Sequence, residues 1–160
     1  MRKLLSVALV AILFFASNVR AEPTKLFELN KKMYQEYQAL QEFLPKTKDV
    51  ALGYTMWDSS IITIIQLNAY FSMVGIIDSI GRGVIKEKSV EYLVIWLNDI
   101  KRKNEINLRS IAMVKPTEEE TSAHAKKLGG YFMELNVQVD NELKRLGLLK
   151  NAIRAQQKSE

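Results

Sequence analysis

The chain has 160 residues, 48% of them hydrophobic and 26% charged, so it can bury the core of one domain and is neither a disordered tail nor a fibre. Its 23 basic and 18 acidic residues give a formal net charge of +5, which by itself suggests a polyanion such as nucleic acid as partner. It has no cysteine and one histidine, which excludes thiol nucleophiles, disulfides, cysteine-ligated zinc, iron–sulfur clusters and any metal site that needs two histidines from one chain.

Residues 1–21 have the layout of a secretory signal peptide. Arg2 and Lys3 are basic, Leu4–Ala16 is apolar except for one serine, and a short polar stretch follows that ends at Ala21. The apolar run is about 13 residues long, shorter than the roughly 20 that a transmembrane helix needs. The sequence therefore predicts cleavage after Ala21, with an uncleaved membrane anchor as the alternative.

Export changes the charge of the chain. Cleavage removes three of the 23 basic residues (Arg2, Lys3 and Arg20) and no acid, which leaves 20 basic and 18 acidic residues and a net charge of +2. We therefore expect no nucleic-acid partner, and we expect the mature protein to be periplasmic or secreted.

The first predicted helix runs from about Thr24 to Leu44, where Pro45 ends it because proline cannot continue a helix. Its apolar residues recur at spacings of three and four, while polar residues such as Glu36 fill the opposite face. The stripe consists of Leu26, Leu29, Met33, Tyr37, Leu40 and Leu44.

The second predicted helix begins near Thr47–Asp49, either end of which can cap it, and continues to about Ile80. Gly81–Gly83 breaks it. The third predicted helix starts at Ser89 as its N-cap and stops before Pro116. Its inner stripe consists of Leu93, Leu97, Ile100, Leu108 and Ile111, with Asn104 in register.

The fourth predicted helix opens on Thr117–Glu120, whose threonine and glutamate have the spacing of a capping box. Its inner stripe begins at His124, and we expect Gly129 and Gly130 to allow a close approach of a bulky neighbour or a bend. The stripe continues through Leu128, Tyr131, Leu135, Val139, Leu143 and Leu146.

Four helices with short connections predict an all-α fold, an antiparallel up-down-up-down four-helix bundle that follows a cleaved signal peptide. The predicted organisation is a signal peptide at 1–21, a bundle domain at 22–150 and a fraying C-terminal tail at 151–160.

The second helix departs from the pattern of a surface helix because Ser59–Ile77 contains no charged residue. It carries two apolar stripes, one through Tyr54, Ile62, Ile65, Ala69, Ile76 and Ile80 and another through Trp57, Ile61, Ile64 and Phe71. Three interpretations remain open: a central helix enclosed by its own domain, a helix that packs on a partner, and a membrane span.

Two groups of candidate residues follow from this helix. The predicted interaction face is Trp57, Ile61, Ile64 and Phe71. The predicted contacts of a small ligand in an apolar cavity are Thr63, Gln66, Asn68 and Ser72.

The sequence offers little for catalysis. We expect His124 to bond to Tyr37 or to a backbone group rather than to ligate haem with Met33. The chain lacks the paired Glu-x-x-His motifs of a di-iron bundle, a phosphate-binding Gly-x-x-x-x-Gly-Lys loop and a Gly-x-Ser-x-Gly elbow. We therefore predict no catalytic, metal or cofactor-binding residue, no cofactor and no enzyme.

The predicted function is that of an exported bacterial helical-bundle protein that acts in the cell envelope by protein–protein interaction or self-association. One alternative is a small-ligand binding or sensing bundle, and another is a membrane-associated subunit that uses the uncharged helix at 59–77. Lys101–Lys103 also leaves contact with an acidic membrane surface open, although such a run is more often a solvated helix face.

Overall fold

The computed structural model describes residues 22–80 and 83–158, and within them the chain forms four α-helices and no strand. The predicted all-α class is confirmed. The helices are α1 (Glu22–Phe43), α2 (Val50–Ser79), α3 (Val84–Met113) and α4 (Glu119–Gln157). The predicted signal peptide lies outside the described residues.

Each helix contacts the next one along the chain, α1 also contacts α4, and α2 and α4 meet across the middle. In the α1–α2 pair, Asn30 bonds to Asn68, while Leu44 just beyond the end of α1 lies beside Gly53 near the start of α2. In the α3–α4 pair, likewise, early residues of one helix contact late residues of the other.

Most of the core comes from apolar stripes that the sequence predicts for α1, α3 and α4, and α2 adds Leu52, Met56, Ile64, Leu67, Tyr70 and Ile77. Buried residues of these stripes are Leu26, Leu29, Met33, Leu40, Leu93, Leu97, Ile100, Leu128, Leu135, Val139 and Leu146. In α4 the aromatic side chain of the core is Phe132, whereas its neighbour Tyr131 is half-buried. Helix α4 continues through Gln157 and buries Ile153, so the bundle extends past the predicted boundary at residue 150.

The start of α3 differs from the prediction. The helix begins at Val84, and Ser89 lies inside it and donates its hydroxyl to the carbonyl of Ile85. The N-cap is Gly83, whose φ of 118° lies in the region that glycine adopts readily and other residues avoid. The prediction of Ser89 as the cap is therefore wrong, because the glycine conformation starts the helix earlier.

The predicted capping box at the start of α4 is also wrong. The N-cap residue is Glu118, with no side-chain capping bond, and Thr117 donates its hydroxyl to Asp49 Oδ1 at 2.5 Å. The backbone N–H groups of Thr117 and Glu118 donate to Asp49 Oδ2 at 2.9 and 3.0 Å. A carboxylate from the α1–α2 connection thus replaces the local cap.

Glu118 in turn accepts hydrogen bonds from the α1–α2 connection. Its Oε2 accepts hydrogen bonds from the Thr47 hydroxyl at 2.7 Å and from the Lys48 N–H at 2.9 Å. The bond from Thr117 holds the pKa of Asp49 below its ordinary 3.8, and the bond from Thr47 holds the pKa of Glu118 below its ordinary 4.5. The two carboxylates therefore join both connections at one end of the bundle.

This pair predicts a pH dependence of stability. Because both pKa values are depressed by folding, the stabilisation is present above the ordinary pKa values and is lost as the pH falls through the lower, folded-state ones. We expect the double variant Asp49→Asn/Glu118→Gln to be less stable than wild type at about pH 6, with the difference shrinking towards about pH 2. Urea unfolding across this range measures it, and Glu119→Gln is the control for loss of an acid from the same turn. A difference that does not change with pH would contradict the role of the two carboxylates.

The glycines show where helices approach closely. A Cβ added at Gly53 would lie 2.8 Å from Leu44 Cδ2 and 3.4 Å from Thr47 Cγ2, whereas a Cβ at Gly129 or Gly130 would meet nothing within 4 Å. The expected close approach at Gly129 and Gly130 is therefore wrong, and the tight contact lies where α2 passes the end of α1.

Alanine substitutions test this difference. We expect Gly129→Ala and Gly130→Ala each to raise the free energy of unfolding by about 1 kcal/mol, because alanine favours the helix and its methyl group has space. Gly53→Ala, measured in the same urea titration, gains less because Leu44 must move. A larger gain at Gly53 than at Gly129 would contradict the packing described.

Candidate interaction surface

Helix α2 packs on its neighbours with three sides. On the α1 side, Trp57 stacks on Tyr37 with ring centroids 5.6 Å apart, and Phe71 meets Phe27 edge to face at 5.6 Å. Leu67 and Met56 lie in the core, and contacts to α3 cover a further side. The remaining side of α2 faces away from the bundle.

This fourth side is apolar except for Asp58 and Ser72, which are both exposed. Ile65 is 58% exposed, and Tyr54, Ile62 and Ile76 are exposed to a similar degree. At about 100° per residue these side chains lie on one face of the helix, with Ile61 and Ala69 half-buried beside them. We call the outer face of α2 the set Tyr54, Asp58, Ile61, Ile62, Ile65, Ala69, Ser72 and Ile76.

The residues of the predicted interaction face lie mostly elsewhere. Ile64 is 3% exposed and belongs to the core, while Trp57 and Phe71 are half-buried against α1. Ile61 alone of the four borders the outer face. The exposed stripe is the other of the two apolar stripes visible in the sequence. Choosing between them requires knowing which sides of α2 the neighbouring helices occupy.

Exposed aromatic residues of α1 and α3 flank the outer face at its middle. Trp96 of α3 is 38% exposed and donates its Nε1–H to the carbonyl of Gln66 at 3.1 Å. Tyr34 of α1 is 47% exposed and lines a groove with Ile64. We call Tyr34, Ile65 and Trp96 the central row, since the contacts of both aromatic residues place them level with Ile65.

A shallow groove of about 230 Å³ lies between α1 and α2. It is lined by Phe27, Asn30, Lys31, Tyr34, Ile64 and Asn68. Asn30 donates its Nδ2–H to Asn68 Oδ1 at 2.7 Å, and the buried Asn30 Oδ1 has no hydrogen-bond partner within the described part of the chain. The unpaired acceptor is therefore buried beside the groove, whose open surface is mainly apolar and aromatic.

The structure does not bring the four predicted ligand contacts together. Asn68 lines the groove, but Ser72 bonds to the Asn68 carbonyl at 3.0 Å on the exposed side of α2. Thr63 is buried and donates to the Ser59 carbonyl at 2.8 Å, and half-buried Gln66 accepts from Trp96 through its backbone. These residues lie on different sides of one helix and cannot line one cavity.

A buried ion pair within α4 is hydrogen-bonded to α2. The Glu142 carboxylate accepts a hydrogen bond from the Tyr70 hydroxyl, and Arg145 binds both its oxygens at 2.7 and 2.6 Å. Burial, together with the negative charge of Glu142, raises the pKa of Tyr70 far above its ordinary value. The tyrosine therefore remains a neutral donor to the carboxylate.

A second buried carboxylate joins α1 to α4. Glu36, predicted on the polar face of α1, is fully buried. His124 Nδ1 lies 2.5 Å from one of its oxygens and Lys127 Nζ lies 2.6 Å from the other. His124 therefore pairs with the residue next to the expected Tyr37, and its ring packs on Phe43. Among the residues described, no group of three or more histidine and acidic side chains is placed to hold a metal ion.

The basic run on α3 is paired. Lys101 bonds to Asp140 at 2.7 Å, and Arg102 and Lys103 bond to Asp99 at 2.9 and 2.8 Å. The bonds from Lys103 and Arg102 lower the pKa of Asp99. The run therefore forms exposed intramolecular ion pairs of the kind expected of a solvated helix face.

The buried ion pair predicts a large mutational effect. Glu142→Leu leaves Arg145 without its counter-charge, so we expect the free energy of unfolding to fall by about 3–5 kcal/mol. Asp140→Ala, which removes a more exposed pair from the same helix, is the control and should cost less than about 1 kcal/mol. Guanidinium unfolding of both variants measures the difference, and equal losses would contradict the role given to burial.

The chain matches no family model, no curated protein and no solved structure. A four-helix fold supplies only analogy for function. By length and composition alone, α2 is the one helix within the described residues that could cross a membrane, and about a third of its most apolar stretch is buried. The inference about function therefore depends on the outer face of α2.

Proposed function

We propose that this protein is an exported bacterial helical-bundle protein of non-enzymatic type. It acts in the cell envelope by protein–protein interaction or self-association, with the outer face of α2 as its contact surface. The single observation that carries the proposal is that Ile62, Ile65 and Ile76 are all strongly exposed on a helix with no charge from Ser59 to Ile77. An exposed continuous apolar patch of this kind marks an interaction site.

The finer description of the chain belongs to the same proposal. The mature protein begins at Glu22 after cleavage of the signal peptide at 1–21, and its bundle has up-down-up-down topology. The signal peptide is supported by the basic, apolar and polar regions of the first 21 residues. The topology is supported by helix pairs in which early residues contact late ones, as Glu87 does with Arg154.

The polar groups inside the bundle support a non-enzymatic role. Glu142 is bound by Tyr70 and Arg145, and Glu36 is bound by His124 and Lys127. Both clusters join separate helices or successive turns, so the fold itself accounts for these charged groups. The outer face of α2, in contrast, has no function within the fold.

The groove between α1 and α2 supports a second candidate function, a small-ligand binding or sensing bundle. Phe27 and Tyr34 would contact the apolar body of such a ligand, and the exposed Asn68 would supply a polar contact. The length and apolar composition of α2 support a third candidate, a membrane-associated subunit that uses residues 59–77.

A charge on the outer face tests the proposal. Ile65→Lys and Met133→Lys both alter side chains that are about 60% exposed, so each should change the free energy of unfolding by less than about 0.5 kcal/mol. We expect Ile65→Lys to weaken association at least tenfold because it places a charge on the contact surface, and Met133→Lys on α4 to leave it unchanged. Cross-linking in isolated envelope fractions and sedimentation of the purified mature chain measure association.

An Ile65→Lys variant that folds and associates as wild type does would contradict the proposal. Recovery of the protein with an N-terminus at Glu22 tests the export part separately. Retention of residues 1–21 on the recovered protein would contradict cleavage.

A further inference from the structure

We infer that the outer face of α2 binds a second copy of this chain, with the two α2 helices antiparallel across a two-fold axis at Ile65. This inference rests on the proposed function and names the partner. A two-fold interface uses the same surface on both copies, so the surface must be complementary to itself. Three features of the outer face meet this condition.

The first feature is the distribution of side-chain size about Ile65. In an antiparallel pair with its axis at Ile65, residues at equal distances before and after it face each other. Ile61 then meets Ala69 of the second copy, since each is four residues from Ile65. Next to the axis a large side chain therefore meets a small one, which allows close packing, while further out Tyr54 meets Ile76 of the second copy.

The second feature is the position of charge. Asp58 is the one charged residue from Val50 to Ile77, and the antiparallel pair places it against Ser72 of the second copy. The two Asp58 side chains are then about 21 Å apart along the helices, beyond the screening length of about 8 Å at physiological salt. A parallel pair would instead place Asp58 against Asp58, and the like charges would repel each other.

The third feature is the central row. A two-fold axis perpendicular to α2 places α1 opposite α1 of the second copy and α3 opposite α3. Tyr34, Ile65 and Trp96 therefore each face the same residue of the second copy. Exposed tyrosine and tryptophan at the centre of a patch are typical of the residues that carry binding energy. The central row therefore places two large aromatic side chains at the two-fold axis, in the middle of the proposed interface.

The outer face of α2 by itself supplies less than half of the area that a stable dimer needs. The outer face from Tyr54 to Ile76 is about 33 Å long, which at a helix width of about 10 Å gives about 330 Å² per copy. A stable interface needs about 800 Å² per partner, so α2 alone is insufficient. The flanking residues Tyr34 and Trp96 and further exposed residues of α1 and α3 must contribute the rest.

The absence of cysteine from the sequence makes disulfide mapping a direct test. The full chain is expressed with Ile65→Cys, and the exported protein is oxidised in detergent-free buffer. We expect most of it to form a covalent dimer, because residues on the axis of a packed helix pair lie within disulfide distance. Met133→Cys, equally exposed on α4, is the matched control and should form at least tenfold less dimer.

Mixing two variants tests the direction of the helices. Ile61→Cys and Ala69→Cys, tagged to differ in mass, should cross-link to each other at least fivefold more than either does to itself. Preferential self-cross-linking of Ile61→Cys would overturn the antiparallel arrangement.

The same variant distinguishes a result that overturns the dimer from a result that overturns the proposed function. The Ile65→Cys thiol is also labelled with a photoactivated cross-linker, which needs no cysteine on the partner. If oxidised Ile65→Cys stays monomeric in buffer but the labelled variant is captured by a different protein in envelope fractions, the second copy is overturned and the proposed function stands. If the labelled variant cross-links to no protein in either preparation, both are overturned.

Discussion

Helix α2 carries large apolar residues on every side, but the bundle covers only three of these sides. The covered sides supply the core residues Met56 and Leu67 and the aromatic contacts of Trp57 and Phe71 with α1. The fourth side leaves Ile62, Ile65 and Ile76 in contact with water. Burying apolar surface contributes about 25 cal/mol per Å², so an exposed isoleucine gains free energy from any surface that excludes water from it. The function proposed for the chain depends on this exposed outer face of α2.

The buried polar groups have a different role, which is to fix how the helices align. Glu142 receives hydrogen bonds from Tyr70 of α2, Glu36 is held by His124 and Lys127 of α4, and buried Asn104 of α3 donates to the Phe132 carbonyl. Sliding a helix by one turn would leave these groups buried without partners, which is costly. The clusters therefore specify one alignment of the helices, and with it the position of the central row at the surface.

The sequence is sufficient to predict the class of fold, because the stripes of α1, α3 and α4 repeat with helical spacing and bury most of the residues they predict. The sequence is insufficient where a residue distant in the chain determines how a side chain is hydrogen-bonded or buried. Thr117 has the spacing of a capping box, yet Asp49 from another connection accepts its hydroxyl. Glu36 belongs to the polar side of its helix, yet a histidine and a lysine of α4 make its burial possible. The same limit applies to α2, where both apolar stripes are visible and only the positions of α1 and α3 determine which is exposed.

The central claim is that a partner covers the outer face of α2 in the envelope. Hydroxyl-radical footprinting of the native envelope fraction, compared with dilute purified protein, measures this directly. The account predicts that Ile62, Ile65 and Ile76 are several-fold less oxidised in the envelope, while Met133 and Val137 of α4 are oxidised equally in both. Equal oxidation of the three isoleucines in the two preparations would contradict it.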